Sequence, residues 1–149
     1  MKRAVTDLAY LAGFIDGEGS ISIFPGTSRG RRRDNLRLDI YNTNEAVLQW
    51  IKRTFGGRIH KVGRPKARNT KQEYVWAAGA QCAAQILKAC LPFLKIKRTQ
   101  AELFIQHQAT SRRNGRYYTP PEILAVRNDI VAKMASLNRR GPSNKEARE

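Results

Sequence analysis

The chain has 149 residues, enough for one compact domain with its own core and too few for two. Lysine and arginine number 28 against 12 acids, a formal net charge of +16. Such a one-signed field attracts polyanions, and it does not fit the mixed-sign surface of an ordinary or thermophilic domain. There is no long apolar run, no basic amphipathic helix with one clean apolar face and no apolar core near the start, which argues against a membrane partner or a signal peptide. The expected location is cytosolic or organelle-internal.

In residues 7–16, Leu8, Leu11, Ala12 and Ile15 follow the spacing of an amphipathic helix, which Gly17 and Gly19 are expected to stop. Residues 20–24 alternate polar with apolar. Pro25, Gly26, Ser28, Arg29, Gly30, Arg31, Arg32 and Arg33 then interrupt, and Leu36, Leu38 and Ile40 resume the alternation, which predicts a long hairpin with a basic tip. Asn42 and Glu45 stand at capping-box spacing before a second helix that carries Val47, Leu48, Trp50, Ile51 and Phe55 up to Gly56 and Gly57.

Residues 58–62 and 73–77 read as a second hairpin, joined by a basic, turn-rich loop. Helices follow at 81–90, 99–108 and 121–137, the last opened by Pro120 and Pro121. Cys82 and Cys90 lie in an alanine-rich stretch with no histidine at ligand spacing, so they read as small buried residues and not as a zinc site. Residues 1–141 are expected to form one domain, with 142–149 a disordered basic tail. Adjacent strand pairs separated by helices point to an α+β fold, an antiparallel sheet with helices on one face.

Asp16 and Glu18 stand at the C-terminal end of the first helix, where the helix dipole already carries negative charge. A bound cation reverses that penalty, and carboxylates are the hard oxygen ligands magnesium takes beside phosphate. From the acids alone, an ordinary loop with glycine caps explains the pattern equally well.

The surrounding residues separate the two. Tyr10-Leu11-Ala12-Gly13-Phe14-Ile15-Asp16-Gly17-Glu18-Gly19-Ser20 closely resembles the signature of the LAGLIDADG homing endonucleases, with Glu18 at the final acidic position. Further landmarks follow in order. They are Asn42-Thr43-Asn44 leading to Trp50, Phe55 and Gly56-Gly57, then Leu91-Pro92-Phe93-Leu94-Lys95-Ile96-Lys97, then Met134 through Arg140.

The resemblance implies a curved four-stranded antiparallel saddle on the DNA major groove, in the order αββαββα. It also implies an intron-encoded enzyme that makes staggered double-strand breaks. Magnesium, with manganese as substitute, is implied at Glu18 and Gly17, Lys97 is the basic residue near the scissile phosphate, and Asn44 positions solvent. Where some relatives carry an arginine, this chain has Leu48, which leaves the second basic group unassigned, with Lys52 and Arg53 as candidates.

A single motif implies a homodimer, paired through Leu8, Ala9, Leu11, Ala12, Gly13 and Asp16 on the motif helix. Small residues there let two backbones approach, although they suit an ordinary core as well.

In residues 35–41, alternation turns Asn35, Arg37, Asp39 and Tyr41 away from the core. That mixture suits direct readout of base edges, and Ser22, Arg58, His60 and Glu73 are expected to extend it. The loops carrying Arg29, Arg31, Arg32 and Arg33, and Arg64, Lys66, Arg68 and Lys71, suit phosphate contacts.

Two other readings stay open: an RNA-binding maturase acting on intron RNA, and a DNA-binding regulator that has lost the chemistry. The regulator is more natural with alanine, asparagine or glycine at the position of Glu18. A ribosomal protein shares the charge but gives no reason for the motif.

Overall fold

The first helix, α1 (Val5–Glu18), forms because Leu11, Ala12 and Ile15 make one continuous apolar stripe, and all three are fully buried against the chain's own core. It extends past the expected 7–16 at both ends. Gly17 does not stop it, and the chain turns extended only at Gly19, whose N–H caps the Ile15 carbonyl. The computed structural model describes residues 3–63, 69–111 and 119–139.

Gly19 opens β1 (Gly19–Phe24), which returns through a small ribbon of β2 (Thr27–Ser28) and β3 (Arg31–Arg32) to β4 (Asn35–Asn42). After α2 (Glu45–Phe55) come β5 (Arg58–Val62) and β6 (Glu73–Gly79). The large sheet is antiparallel in the order β1-β4-β6-β5, so both hairpins join through the central pair β4 and β6. The chain ends with α3 (Ala80–Cys90), a 3-10 turn at Leu91–Phe93, α4 (Arg98–Ala109) and α5 (Pro121–Asn138). The fold is the expected α+β arrangement.

Ile21, Leu38, Ile40 and Trp76 project from the sheet into one core that also receives Leu48 and Ile51 of α2 and Ile86 and Leu87 of α3. Burying apolar side chains of this size stabilises the fold by roughly 1.5–3 kcal/mol each. The helices pack on that face, α2 on β5 and β6, α3 on β4 and β6, and α4 and α5 along β1. Trp76 shows how tight the packing is. Its indole Nε1 donates to the Gly56 carbonyl at 2.8 Å, and a Cβ on Gly57, at φ +89°, would fall 2.6 Å from that nitrogen.

The capping box expected at Asn42 is displaced. The N-cap of α2 is Asn44, whose Oδ1 accepts from Val47 N at 3.2 Å, while Asn42 Oδ1 accepts from Asn44 N at 2.7 Å. Both cysteines are free, with Cys90 buried and Cys82 half-buried. The tail 142–149 and the basic residues Arg64, Lys66 and Arg68 lie outside the described residues. Among the described residues no helix is long and apolar enough to cross a membrane.

Candidate active site and sheet face

The two acids at the end of α1 have different surroundings. Asp16 accepts three consecutive backbone N–H groups, Lys95 on Oδ2 at 2.7 Å and Ile96 and Lys97 on Oδ1 at 3.2 and 2.9 Å. These donors lie just ahead of α4, where a carboxylate complements the positive end of a helix. Lys97 binds back to the same helix, its Nζ donating to the Ile15 and Asp16 carbonyls at 3.0 and 2.9 Å. A cation there complements the negative end of α1, adding a second donor to the Ile15 carbonyl and one to that of Asp16. Burial pulls the Lys97 ammonium below the usual lysine range, against the opposing charges of Asp16 and Glu18.

Glu18 stays outside this brace and is exposed. Because Gly19 pairs with Ile40, Glu18 lies beside the end of β4, where the chain turns through Asn42 toward Asn44. Lys97 keeps one of its three N–H donors beyond the two carbonyls it holds. The end of α1 therefore carries an open carboxylate and an anchored ammonium.

Among the described residues no group of three or more His, Cys, Asp or Glu side chains could hold a metal ion. One chain offers the Glu18 carboxylate and helix-end carbonyls such as that of Gly17. Magnesium bound through one or two carboxylates, with water and phosphate oxygens completing its shell, fits that donor set.

Asn44, expected to position solvent, is engaged as a helix cap. Asn44→Ala is expected to cost about 1 kcal/mol of stability and Asn44→Asp almost nothing, since aspartate caps equally well. Urea unfolding of both variants checks this, and equal losses in the two would deny the cap. Leu48 is fully buried, while Lys52 and Arg53 are exposed near the end of α2.

The outer face of the sheet carries the residues expected from the alternation. Register sets Ser22 opposite Arg37, and Ser20, Asp39, Ala77 and Arg58 in one row across all four strands. Tyr41, Val75 and His60 form the next row, and Glu73 lies beyond them opposite Val62. Asn35, Tyr41, Arg58, His60 and Glu73 are exposed.

Asp39 is not the open base-reading acid expected of it. It is only 6% exposed, and its Oδ1 accepts from Arg37 at 3.2 Å. Burial raises its carboxyl pKa, with Arg37 opposing. Alternation identifies the face but not the lateral crowding by strands on both sides. Ser22 is likewise buried, and Arg37 presents the more open side chain of the ion pair. The alternation Ser20, Ser22, Phe24 also puts Phe24 on this face, 56% exposed, an apolar surface of the kind that meets thymine methyl groups.

Further residues behave differently from expectation. Arg32 turns inward to Asp34 and Asn128 and does not extend from the tip with Arg29, Arg31 and Arg33. Leu11 and Ala12 have no exposed surface, so neither presents one to a second chain, and Asp16, half-buried, has its carboxylate engaged by residues 95–97. Leu8 is half-buried against the core. Ala9 and Gly13 are exposed on the other side of α1, in line with Gly17.

A family model described as LAGLIDADG endonuclease matches residues 11–100. No curated protein matches the sequence. Among solved structures the chain is similar to the homing endonuclease I-CvuI in complex with the I-CreI target, with TM-score 0.72 and 20% identity over 93% of this chain and 86% of that one. It is similar to the archaeal intron-encoded I-Vdi141I complexed with DNA, with TM-score 0.72 and 22% identity over 92% and 87%. The group I intron-encoded I-CeuI, also complexed with DNA, gives TM-score 0.69 and 18% identity over 97% and 72%.

Proposed function

The chain belongs to the LAGLIDADG endonuclease family, and we propose that it binds a long duplex DNA site as a homodimer and cuts both strands with magnesium. The observation that carries this reading is the end of α1, where exposed Glu18 stands beside an ammonium anchored on the same helix terminus. The resemblance gives Glu18 and Lys97 their roles, and their placement is compatible with those roles. Glu18 would hold a divalent ion, which would supply charge neutralisation and an acidified water.

The residues of the chain do the rest. Asp16 fixes the segment that carries Lys97, and Lys97 brings positive charge to the place where a phosphodiester accumulates negative charge. On the sheet, Asn35, Arg37, Arg58 and His60 present donors and acceptors to base edges, while exposed Arg29, Arg31, Arg33 and Lys71 suit phosphates. Ala9, Gly13 and Gly17 let a second α1 approach closely, which brings two Glu18 carboxylates toward one symmetry axis.

The test is to incubate the protein and its Glu18→Gln variant with a library of long duplex sites, in magnesium and in chelator, and to sequence the cut ends. Magnesium-dependent staggered cutting at one site is expected, reduced at least about a hundredfold in the variant while binding persists. Cutting by the variant at the rate of the unaltered chain removes Glu18 from the chemistry. Tight site-specific binding without cutting points to a regulator, and indifference to DNA redirects the test to structured intron RNA.

A further inference from the structure

Side chains outside the cleavage site tie the tip of the first hairpin to the helical layer. Asp34, between β3 and β4, has a side chain 1% exposed, and its two oxygens serve partners from different parts of the chain. Oδ2 lies 2.7 Å from Nε2 of His107, itself 3% exposed in the last turn of α4. Arg32 donates from Nε to Oδ1, and its other arm donates to Asn128 Oδ1 on α5 at 2.7 Å.

The neighbouring Arg127 donates to Thr110 Oγ1 and O at 2.8 and 3.1 Å, and the Thr110 hydroxyl donates to the His107 carbonyl at 2.6 Å. Among the described residues His107 Nδ1 is buried without a partner. Burial works against the Asp34 charge, yet Arg32 and His107 outweigh it and hold the carboxyl below its usual range.

The tip needs such an anchor. Its ribbon has two residue pairs, Thr27 with Arg32 and Ser28 with Arg31, closed by Arg33 N donating to Gly26 O. A two-stranded ribbon is marginal in water, and the like charges of Arg29, Arg31 and Arg33 repel one another. Were DNA to order the tip, the entropy cost would be subtracted from affinity.

We propose that the buried Asp34 and His107 are positioning residues, which with Arg32 and Asn128 hold the hairpin tip so that its outer arginines meet DNA phosphates already ordered. Arg32 belongs to this anchor and not to the DNA surface. The inference rests on the DNA-binding reading above.

The test compares His107→Leu, His107→Gln and Asn128→Ala by amide hydrogen exchange across residues 26–34 without DNA, and by the salt dependence of binding to a mixed-sequence duplex. His107→Leu should speed exchange in the tip at least about tenfold. It should also flatten the plot of log affinity against log salt by about 0.9 for each phosphate the tip no longer neutralises. His107→Gln retains an N–H near the place of Nε2 and should restore both, whereas a role in apolar packing alone predicts that leucine outperforms glutamine.

Asn128→Ala, an exposed change on α5, should move both readings less and in the same direction, and it carries the test if the leucine variant fails to fold. Unchanged tip exchange in the variants overturns the proposal, as does faster exchange with an unchanged salt slope. If the unaltered protein shows no salt-dependent duplex binding, the DNA reading fails and the positioning role with it. The exchange measurement then reports separately whether the anchor exists.

Discussion

Replacing Asp16 with alanine is expected to lower the unfolding free energy by about 2–4 kcal/mol, since hydrogen bonds to a charged acceptor contribute about 1.5–3 kcal/mol each and water recovers part of the loss. Three N–H groups, those of Lys95, Ile96 and Lys97, are deprived of their common acceptor in this variant. Lys95 and Ile96 are exposed, and water can reach them. A loss of that size moves the thermal midpoint by roughly 5–15 °C for a chain of this length.

Activity should fall further than stability explains. The segment that carries Lys97 is no longer pinned beside Glu18, and displacement of a catalytic group by about 1 Å can cost on the order of a hundredfold in rate. Asp16→Asn separates these contributions, because one carboxamide oxygen can retain Ile96 and Lys97 while the hydrogen bond from Lys95 and the negative charge disappear. It should melt between the alanine variant and the unaltered chain. Thermal melts, with cleavage measured well below the midpoint, decide the matter. An alanine variant that melts with the unaltered chain shows that residues 95–97 are held by something else.

Asp16 also shows where reading a sequence stops. The acids at the α1 end were legible, and so was the penalty they face there. A cation was the expected compensation, but for Asp16 it is three N–H groups, the first of them 79 positions away. No local pattern reports a partner at that distance. The core was more accessible, because Leu36, Leu38 and Ile40 alternate and Leu11, Ala12 and Ile15 recur with the helical turn, and each is buried.

Asp39 lies between these cases. Period two assigns its face correctly, while its burial depends on which strands flank β4. Arg32 was readable in part, since Asp34 is the lone acid beside a run of arginines and invites an internal ion pair. Leu103, Phe104 and His107 share a helical face, a spacing that signals a buried histidine. Asn128, 96 positions from Arg32, gave no such signal.

Gly13→Leu should turn a homodimer into single chains without unfolding them. A Cβ at Gly13 meets nothing within 4 Å, so the chain itself has room for the side chain. Leucine is also a better helix former than glycine, by roughly 0.5–1 kcal/mol. Gly19 is the opposite case, because its Cβ would fall 2.6 Å from the Ile15 carbonyl oxygen, which leaves no space within the chain. The room at Gly13 is therefore not needed by this fold, whereas close approach of a second α1 needs it.

Light scattering after gel filtration should give about twice the 16.9 kDa chain mass for the unaltered protein and the single-chain mass for Gly13→Leu. Far-ultraviolet circular dichroism of the variant should retain the helical signal, and cleavage of both strands should disappear with the dimer. A variant that remains dimeric moves the pairing surface off this side of α1. The next place to look is then Ile96, 72% exposed, whose backbone Asp16 holds at the end of the same helix.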